Sequence, residues 1–143
     1  MDITIAIIVT LVGAATPILI AALGELVVEK SGVLNLGVEG MMLVGAIAGF
    51  AGQFYTQNPY FAVLFGAFAG LSVSLIFGFL TLSLSTNQTA TGLALTIFGT
   101  GLSALAGAPF SARPVTLMGP LFPPELATNP LLRVVFGYSA PVY

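Results

Sequence analysis

The 143-residue sequence contains neither cysteine nor histidine and has only three basic residues. Without cysteine and histidine, disulfide frameworks, Cys/His zinc sites, thiol nucleophiles and imidazole-based triads are excluded. Without a basic surface, nucleic-acid binding is excluded as well. The single lysine, Lys30, follows Glu29, so it cannot belong to a phosphate-binding loop of the G-x-x-x-x-G-K-[ST] type. We therefore expect no nucleic-acid partner, no enzyme activity, no catalytic residue, no metal site and no cofactor in this chain.

Charged residues of either sign are also scarce, at 6% of the chain, whereas soluble domains usually carry about a quarter. Residues 41–112 contain none at all, and 57% of the chain is hydrophobic. A surface in contact with water could not be built from such a stretch. The composition therefore predicts an integral protein of the cell membrane.

Four apolar stretches are long enough to cross the hydrocarbon core of a bilayer, which takes roughly 20 helical residues. They cover residues 3–28, 34–52, 60–84 and 91–108. The first could instead be a cleaved signal peptide, but no Lys or Arg precedes Lys30, which favours a retained span. The predicted fold class is all-α, a polytopic transmembrane helix bundle.

Proline divides the sequence into two predicted regions. Residues 1–108 are expected to form the four transmembrane helices, the first of which contains Pro17 and should be kinked or broken there. Residues 109–143 contain seven of the nine prolines and cannot form one helix. They are predicted to form an extramembrane loop, with a short surface helix near residues 131–136.

Glycines recur at four-residue spacing in the second and third apolar stretches. The pairs are Gly45 with Gly49 and Gly66 with Gly70. Small residues at this spacing let helix backbones approach closely in lipid. These four glycines are predicted helix-packing positions, and the pattern indicates nothing about a substrate.

The first polar segment, residues 24–46, carries four of the eight charges between and inside two apolar stretches. A carboxylate near the bilayer centre costs about 2.5–3.5 kcal/mol, so such residues normally face protein, water or the interface. Glu25 and Glu29 have i, i+4 spacing and could be a solvated helix end. Asn35 and Glu39 have the same spacing and are candidates for a translocation path or a subunit contact, with an interfacial position as the alternative for Glu39. The segment also holds three glycines that would interrupt or thin a helix: Gly32, Gly37 and Gly40.

The second polar segment, residues 83–92, has no charge but is rich in hydroxyl and amide side chains. Asn87 and Gln88 are candidates for lining the path of a neutral polar solute. The alternative is a plain turn that caps the fourth helix, because Ser, Thr and Asn are the favoured N-cap residues.

Four motifs occur in an order typical of one transporter family. They are TP at residues 16–17, ALGEL at 22–26, ExSGVLNLGxEGMM at 29–42 and NQxxxGLAL at 87–95. In these motifs the chain resembles the membrane permease of ABC importers for branched-chain amino acids, simple sugars and nucleosides, and it most resembles the nucleoside permeases. Lys30 stands where an arginine is more usual. The match covers nearly the whole chain but about the first half of such a permease, so we expect an N-terminal fragment, truncated after the loop.

The resemblance implies uptake of a small polar solute, with nucleosides as the best match, by alternating access. ATP would be hydrolysed on a separate ABC ATPase subunit. The further partners implied are a second permease subunit, an extracytoplasmic solute-binding lipoprotein and membrane lipid. A non-transporting membrane scaffold or assembly subunit and a secondary transporter are the alternatives.

Overall fold

The computed structural model describes residues 3–110 of the chain. In this part there are four long helices and no strands, so the predicted all-α class is confirmed. Each helix, alone or with the turn that follows it, is long and apolar enough to cross a membrane. The predicted loop 109–143, with its short helix, lies outside the described residues apart from 109 and 110. The helices are α1 (Ile3–Lys30), α2 (Val38–Thr56), α3 (Pro59–Gly78) and α4 (Gln88–Gly107).

The chain divides into two compact units. Of the first unit, the structure describes residues 3–24, which form one stretch of α1 with many apolar side chains exposed. The second unit contains the other described residues, 25–110, and includes the buried hydrophobic core. The core side chains are Met41, Val44, Val73, Phe77 and Leu95.

The first helix, α1, continues through Pro17 without interruption, so the alternative of a break at this proline is wrong. Proline removes only one backbone donor, while the other backbone groups of a helix in lipid still need their intrahelical partners. Continuity is therefore favoured over a break. A hydroxyl group adds to the bonding beside the proline, because Thr16 Oγ1 donates to the Val12 carbonyl oxygen at 2.9 Å. A kink at Pro17 stays a prediction.

A glycine in the left-handed backbone region ends α1. Gly32 has a φ of 83°, and its N–H donates to the Glu29 carbonyl oxygen at 2.9 Å. The Val33 N–H donates to the Val28 carbonyl oxygen at 3.2 Å. This pair of bonds is the Schellman arrangement, which satisfies carbonyl groups at a helix end. Residues 31–37, which we name the polar linker, follow the helix and are not helical.

The second helix, α2, begins at Val38, four residues after the approximate start predicted at residue 34. The physical reason is the side chain of Asn35, whose Oδ1 accepts a hydrogen bond from the Gly37 N–H at 3.0 Å. Bonds of this kind between a side chain and the nearby backbone compete with helix formation. The helix also extends past the predicted end at residue 52.

A short turn joins α2 to α3. Gln57 has left-handed backbone with a φ of 54°, and its N–H donates to the Gln53 carbonyl oxygen at 2.8 Å. Asn58 then caps α3, because its Oδ1 accepts from the Tyr60 N–H at 3.0 Å, and Pro59 occupies the first turn, where its missing N–H costs nothing. So short a connection makes α2 and α3 antiparallel neighbours.

At its C-terminal end, α3 continues into a π-helical turn, Phe79–Ser83. The Leu84 N–H donates to the Phe79 carbonyl oxygen, five residues back, where an α-helix would use the carbonyl of Leu80. Ser85 follows with a φ of 51°. The Leu80 carbonyl oxygen therefore accepts no hydrogen bond from Leu84 and is available to a different donor.

Helix α2 is central in the second unit, because it packs extensively against both α3 and α4, whereas α3 and α4 have few contacts with each other. The 3-10 turn Ala108–Phe110 packs against the C-terminal half of α2 through aromatic rings. The ring centroid of Phe110 lies 5.7 Å from that of Phe50 and 5.4 Å from that of Phe54, both in edge-to-face geometry.

Candidate functional site

The polar linker, which joins α1 to α2, places a polar side chain in the protein interior. Asn35 is 6% exposed, and both ends of its amide group have partners. Oδ1 accepts from the Gly37 N–H, while Nδ2 donates to Glu25 Oε1 at 2.9 Å and lies 3.7 Å from the Met41 sulfur. Asn35 is therefore a buried junction between the last turns of α1 and the first turn of α2.

Side chains of α4 hold the backbone of the polar linker. Gln88 Oε1 accepts from the Leu34 N–H at 2.7 Å, and Thr96 Oγ1 donates to the Leu36 carbonyl oxygen at 2.8 Å. Leu34 and Leu36 lie in non-helical backbone, whose groups lack the regular partners of a helix. Irregular backbone at membrane depth is tolerated where it is buried in protein or lines a cavity. Gln88 and Thr96 thus supply hydrogen bonds that the non-helical backbone of the linker leaves open.

Three glycines let α4 approach the polar linker and α2 at backbone distance. A Cβ atom at Gly92 would lie 2.8 Å from the Leu36 nitrogen, and one at Gly99 would lie 2.5 Å from the Gly40 carbonyl oxygen. A Cβ atom at Gly40 would lie 2.5 Å from the Leu95 carbonyl oxygen. Real Cβ atoms essentially never approach closer than 3.0 Å, so these positions require glycine at the observed helix separation.

Gly92 and Gly99 were not among the helix-packing positions predicted from the sequence. A signal was present for the second, because Gly99, Ser103 and Gly107 recur at four-residue spacing in α4. Gly40 was expected to interrupt or thin a helix, and the interruption is wrong, because Gly40 lies inside α2. Backbone proximity to α4 is the physical reason for a glycine there.

Glu39 lies in the first turn of α2, where its side chain is exposed and has no hydrogen-bond partner among the described residues. The i, i+4 spacing of Asn35 and Glu39 does not place them on one helix face, because Asn35 precedes the helix and is buried. Three of the apolar side chains near Glu39 in sequence, Leu36, Met42 and Leu43, are also exposed, whereas Met41 is buried. Glu39 therefore belongs to the outer surface of the described part of the chain.

The end of α1 holds two carboxylates with different surroundings. Glu25 is half-buried and accepts the hydrogen bond from Asn35, whereas Glu29 and Lys30 are exposed. The interpretation as a solvated helix end therefore fits Glu29 and Lys30. It is wrong for Glu25, because the buried amide of Asn35 engages its carboxylate.

The two amides of the second polar segment have separate partners. Asn87 is the N-cap of α4, and its Oδ1 accepts from the Ala90 N–H at 3.0 Å, which is the alternative that the sequence left open. Gln88 is the first residue of α4 and bonds to Leu34 of the polar linker. Because Asn87 caps it, the helix starts before the predicted residue 91.

Backbone proximity also occurs between α2 and α3. A Cβ atom at Gly45 would lie 3.1 Å from the Gly66 carbonyl oxygen, and one at Gly66 would lie 3.0 Å from the Gly45 carbonyl oxygen. At Gly49 the distance to the Ala62 carbonyl oxygen would be 2.9 Å. Gly70 has ordinary space, with its nearest neighbour at 3.9 Å. The tight approach is thus centred on three of the four predicted glycines.

One buried polar group is unsatisfied in the described part of the chain. Gln53 Nε2, near the C-terminal end of α2, is buried without a hydrogen-bond partner.

Within residues 3–110, no cluster of three or more His, Cys, Asp or Glu side chains could hold a metal ion. The arrangement offers amide and hydroxyl groups, which can hold and orient neutral polar partners.

Comparison with known proteins gives a consistent set of relatives. Residues 7–113 match the family described as branched-chain amino acid transport system, permease component. The chain is 45% identical over 105 residues to a putative glucose ABC transporter permease of Haloferax volcanii, covering 73% of this chain and 32% of the relative. It is 35% identical over 98 residues to a guanosine ABC transporter permease of Bacillus subtilis, covering 64% and 30%. It is 29% identical over 94 residues to a nucleoside ABC transporter permease of Lactococcus lactis, covering 62% and 30%.

The chain thus spans 30–32% of the length of these relatives. No solved structure matches it significantly. The relatives are permeases and not enzymes, so the expectation that the chain is not an enzyme is confirmed, as is a multi-pass location in the cell membrane. Residues 7–113 and the motifs of the polar segments lead to the same assignment, and the chain belongs to the branched-chain amino acid transport system permease family of ABC transporters.

Proposed function

We propose that this chain forms part of the permease subunit of an ATP-driven ABC importer that takes up nucleosides and related small polar solutes. The observation that carries the proposal is the polar linker, a stretch of non-helical backbone inside a helix bundle that is long and apolar enough to span a membrane. Transporters commonly place non-helical backbone between helical segments beside the solute path. Two relatives are described as guanosine and nucleoside permeases, which supports the solute class.

The charge distribution of this part of the permease suits a neutral solute. Residues 41–112 include most of α2 and all of α3 and α4, and they contain no charged side chain. An amino acid carries an ammonium and a carboxylate group, and both lose hydration in a narrow path unless charged partners replace it. Nucleosides and sugars need only hydrogen bonds, which threonine, asparagine and glutamine can supply.

Energy and solute delivery would come from partner proteins. This chain has no phosphate-binding loop, so ATP would be bound and hydrolysed by an ABC ATPase subunit. A second permease subunit would complete the membrane domain, and an extracytoplasmic solute-binding lipoprotein would deliver the solute. Membrane lipid would cover the remaining apolar surface.

The four candidate polar residues divide into two groups within this proposal. Asn35, Asn87 and Gln88 would shape the path indirectly, because their side-chain oxygens accept bonds from the protein backbone. Glu39 would face another part of the transporter or a water-filled space, because its carboxylate is exposed and a lipid contact would be costly.

Uptake by the assembled transporter in sealed vesicles tests the proposal. Radiolabelled guanosine should accumulate when ATP is present on the ATPase side, and unlabelled adenosine should compete better than leucine. An ionophore that collapses ion gradients should leave uptake intact. Uptake that follows an ion gradient and survives ATP depletion would indicate a secondary transporter, and complete assembly without uptake of any solute would indicate a scaffold.

A further inference from the structure

An open groove with a volume of about 470 Å³ lies beside the N-terminal half of α4, within the second unit. Most of its wall is apolar and includes the exposed ring of Phe98. Two hydroxyl groups, those of Thr86 and Thr91, also line it. Neither threonine takes part in anchoring the polar linker, which depends on Gln88 and Thr96. The groove is therefore a separate feature of the fold.

The π-helical turn determines which of the two threonine hydroxyls donates in the hydrogen bond between them. This turn leaves the Leu80 carbonyl oxygen free of the helix, and it accepts from the Thr86 N–H at 3.1 Å and from Thr86 Oγ1 at 2.9 Å. Thr86 has then used its only hydroxyl proton. The bond of 2.9 Å between the two threonine hydroxyls must therefore run from Thr91 to Thr86.

Both hydroxyl protons thus take part in hydrogen bonds within the protein, and the remaining lone pairs of Thr86 and Thr91 can only accept hydrogen bonds from a ligand. A ligand at this end of the groove must bring its own donors. Neutral O–H groups satisfy this requirement, whereas a carboxylate or phosphate group would meet acceptors only. A lipid acyl chain would leave the two acceptors without partners.

The spacing along α4 adds a second recognition element. Thr91 and Phe98 are seven residues apart, so they lie on one face of the helix and are separated by about 10.5 Å along its axis. Ala94 lies between them in the groove wall, and the small residue Ala90 also lines the groove next to Thr91. An elongated solute could therefore place hydroxyl groups at Thr91 and a flat apolar ring against Phe98.

We propose that this groove is a solute-binding surface of the permease, which receives a nucleoside with its sugar hydroxyls on Thr86 and Thr91 and its base against Phe98. The inference rests on the proposed function, because it assigns residues to the uptake of that solute class. Guanosine has both features that the groove requires, namely O–H donors at one end and an aromatic ring at the other. Glucose has the donors alone.

The first test compares guanosine with 2′,3′-dideoxyguanosine, which lacks the two ribose ring hydroxyls, in uptake by the assembled transporter. Thr91→Val keeps the side-chain shape and removes the hydroxyl, so the preference for guanosine should fall by about three- to ten-fold. Thr100→Val is the matched control, because Thr100 lies on the same helix, bonds to the Thr96 carbonyl oxygen of that helix and does not line the groove. The lipoprotein is the same in every preparation, so its own selectivity cancels from the comparison.

An equal loss of uptake for both solutes in Thr91→Val would overturn the assignment, because it would indicate a structural role. An unchanged preference would overturn it as well. If the unsubstituted transporter takes up no nucleoside at all, the proposed function fails. Nucleoside uptake with an unchanged preference in Thr91→Val contradicts the groove alone.

The second test uses the absence of cysteine in this chain. The thiol of Ala94→Cys would lie in the groove, and that of Gly101→Cys would lie on the same helix in open space. A small water-soluble thiol reagent should label Ala94→Cys, and guanosine should slow this labelling several-fold while leucine does not. Labelling of Gly101→Cys should not respond to guanosine. Failure to label Ala94→Cys without solute would show that lipid or another helix fills the groove.

Discussion

The close approach of α2 and α4 can be tested by adding a single methyl group. Gly99→Ala would place a Cβ atom 2.5 Å from the Gly40 carbonyl oxygen and 2.6 Å from the Gly40 Cα. All of these neighbours are backbone atoms of a helix, which cannot rotate away as a flexible side chain would. The two helices must therefore separate.

The size of the effect follows from the distances. Ordinary van der Waals contact begins at 3.4 Å, so the helices would have to move apart by roughly 1 Å. A gap of that size forfeits about a quarter to a half of the dispersion energy of the surrounding contacts. We expect a loss of about 1–3 kcal/mol in the free energy of unfolding. Gly40→Ala should lower the free energy of unfolding by less when Gly99→Ala is already present than it does alone, because the two helices have already separated.

The assay is denaturant unfolding of the purified transporter in detergent, followed by a spectroscopic probe of helix content. Gly101→Ala is the matched control, since it makes the same change in the same helix at a position with nothing within 4 Å. Its free energy of unfolding should stay unchanged or rise by up to about 1 kcal/mol, because alanine favours a helix over glycine. Equal midpoints for Gly99→Ala and Gly101→Ala would refute the backbone contact.

Three further predictions concern other parts of the second unit. Asn35→Leu should lower the unfolding free energy by about 1–3 kcal/mol, because it leaves buried polar partners unpaired, and an unchanged midpoint would argue against the junction. Gln53→Met should raise the midpoint, because it removes a buried amide without a partner, and a lower midpoint would reveal a missed bond. Gly45→Leu combined with Gly49→Leu should insert normally yet weaken assembly or uptake, whereas Ile47→Leu should do little. Normal assembly and uptake of the double variant would contradict the close packing of α2 against α3 at these two glycines.

The helical spans could be predicted from the sequence because lipid leaves the backbone few choices. An apolar stretch of this length has to satisfy its amide groups internally, which makes the helix the default outcome. The same rule explains why Pro17 does not end α1. The errors occur where side chains redirect the backbone, as Asn35 does before α2 and Asn87 does before α4.

The candidate site was harder to predict because its contacts connect residues that are distant in sequence. Gln88 bonds to Leu34, and Thr96 bonds to Leu36, across the whole of α2 and α3. The periodicity of one helix contains no information about such a pair. A polar composition indicated the segment but could not show that Gln88 faces the linker, because that depends on how α4 packs.

Small residues have opposite consequences on different faces of α4. At Gly99 the missing side chain is replaced by the backbone of α2, so no space remains and any addition must separate the helices. At Ala90 and Ala94 no described helix occupies the space, and the groove remains open. Stability therefore depends on the glycine face, while the capacity to hold a solute depends on the alanine face. Because one rigid helix carries both faces, the docking of α4 on α2 and the polar linker sets the position of the groove wall.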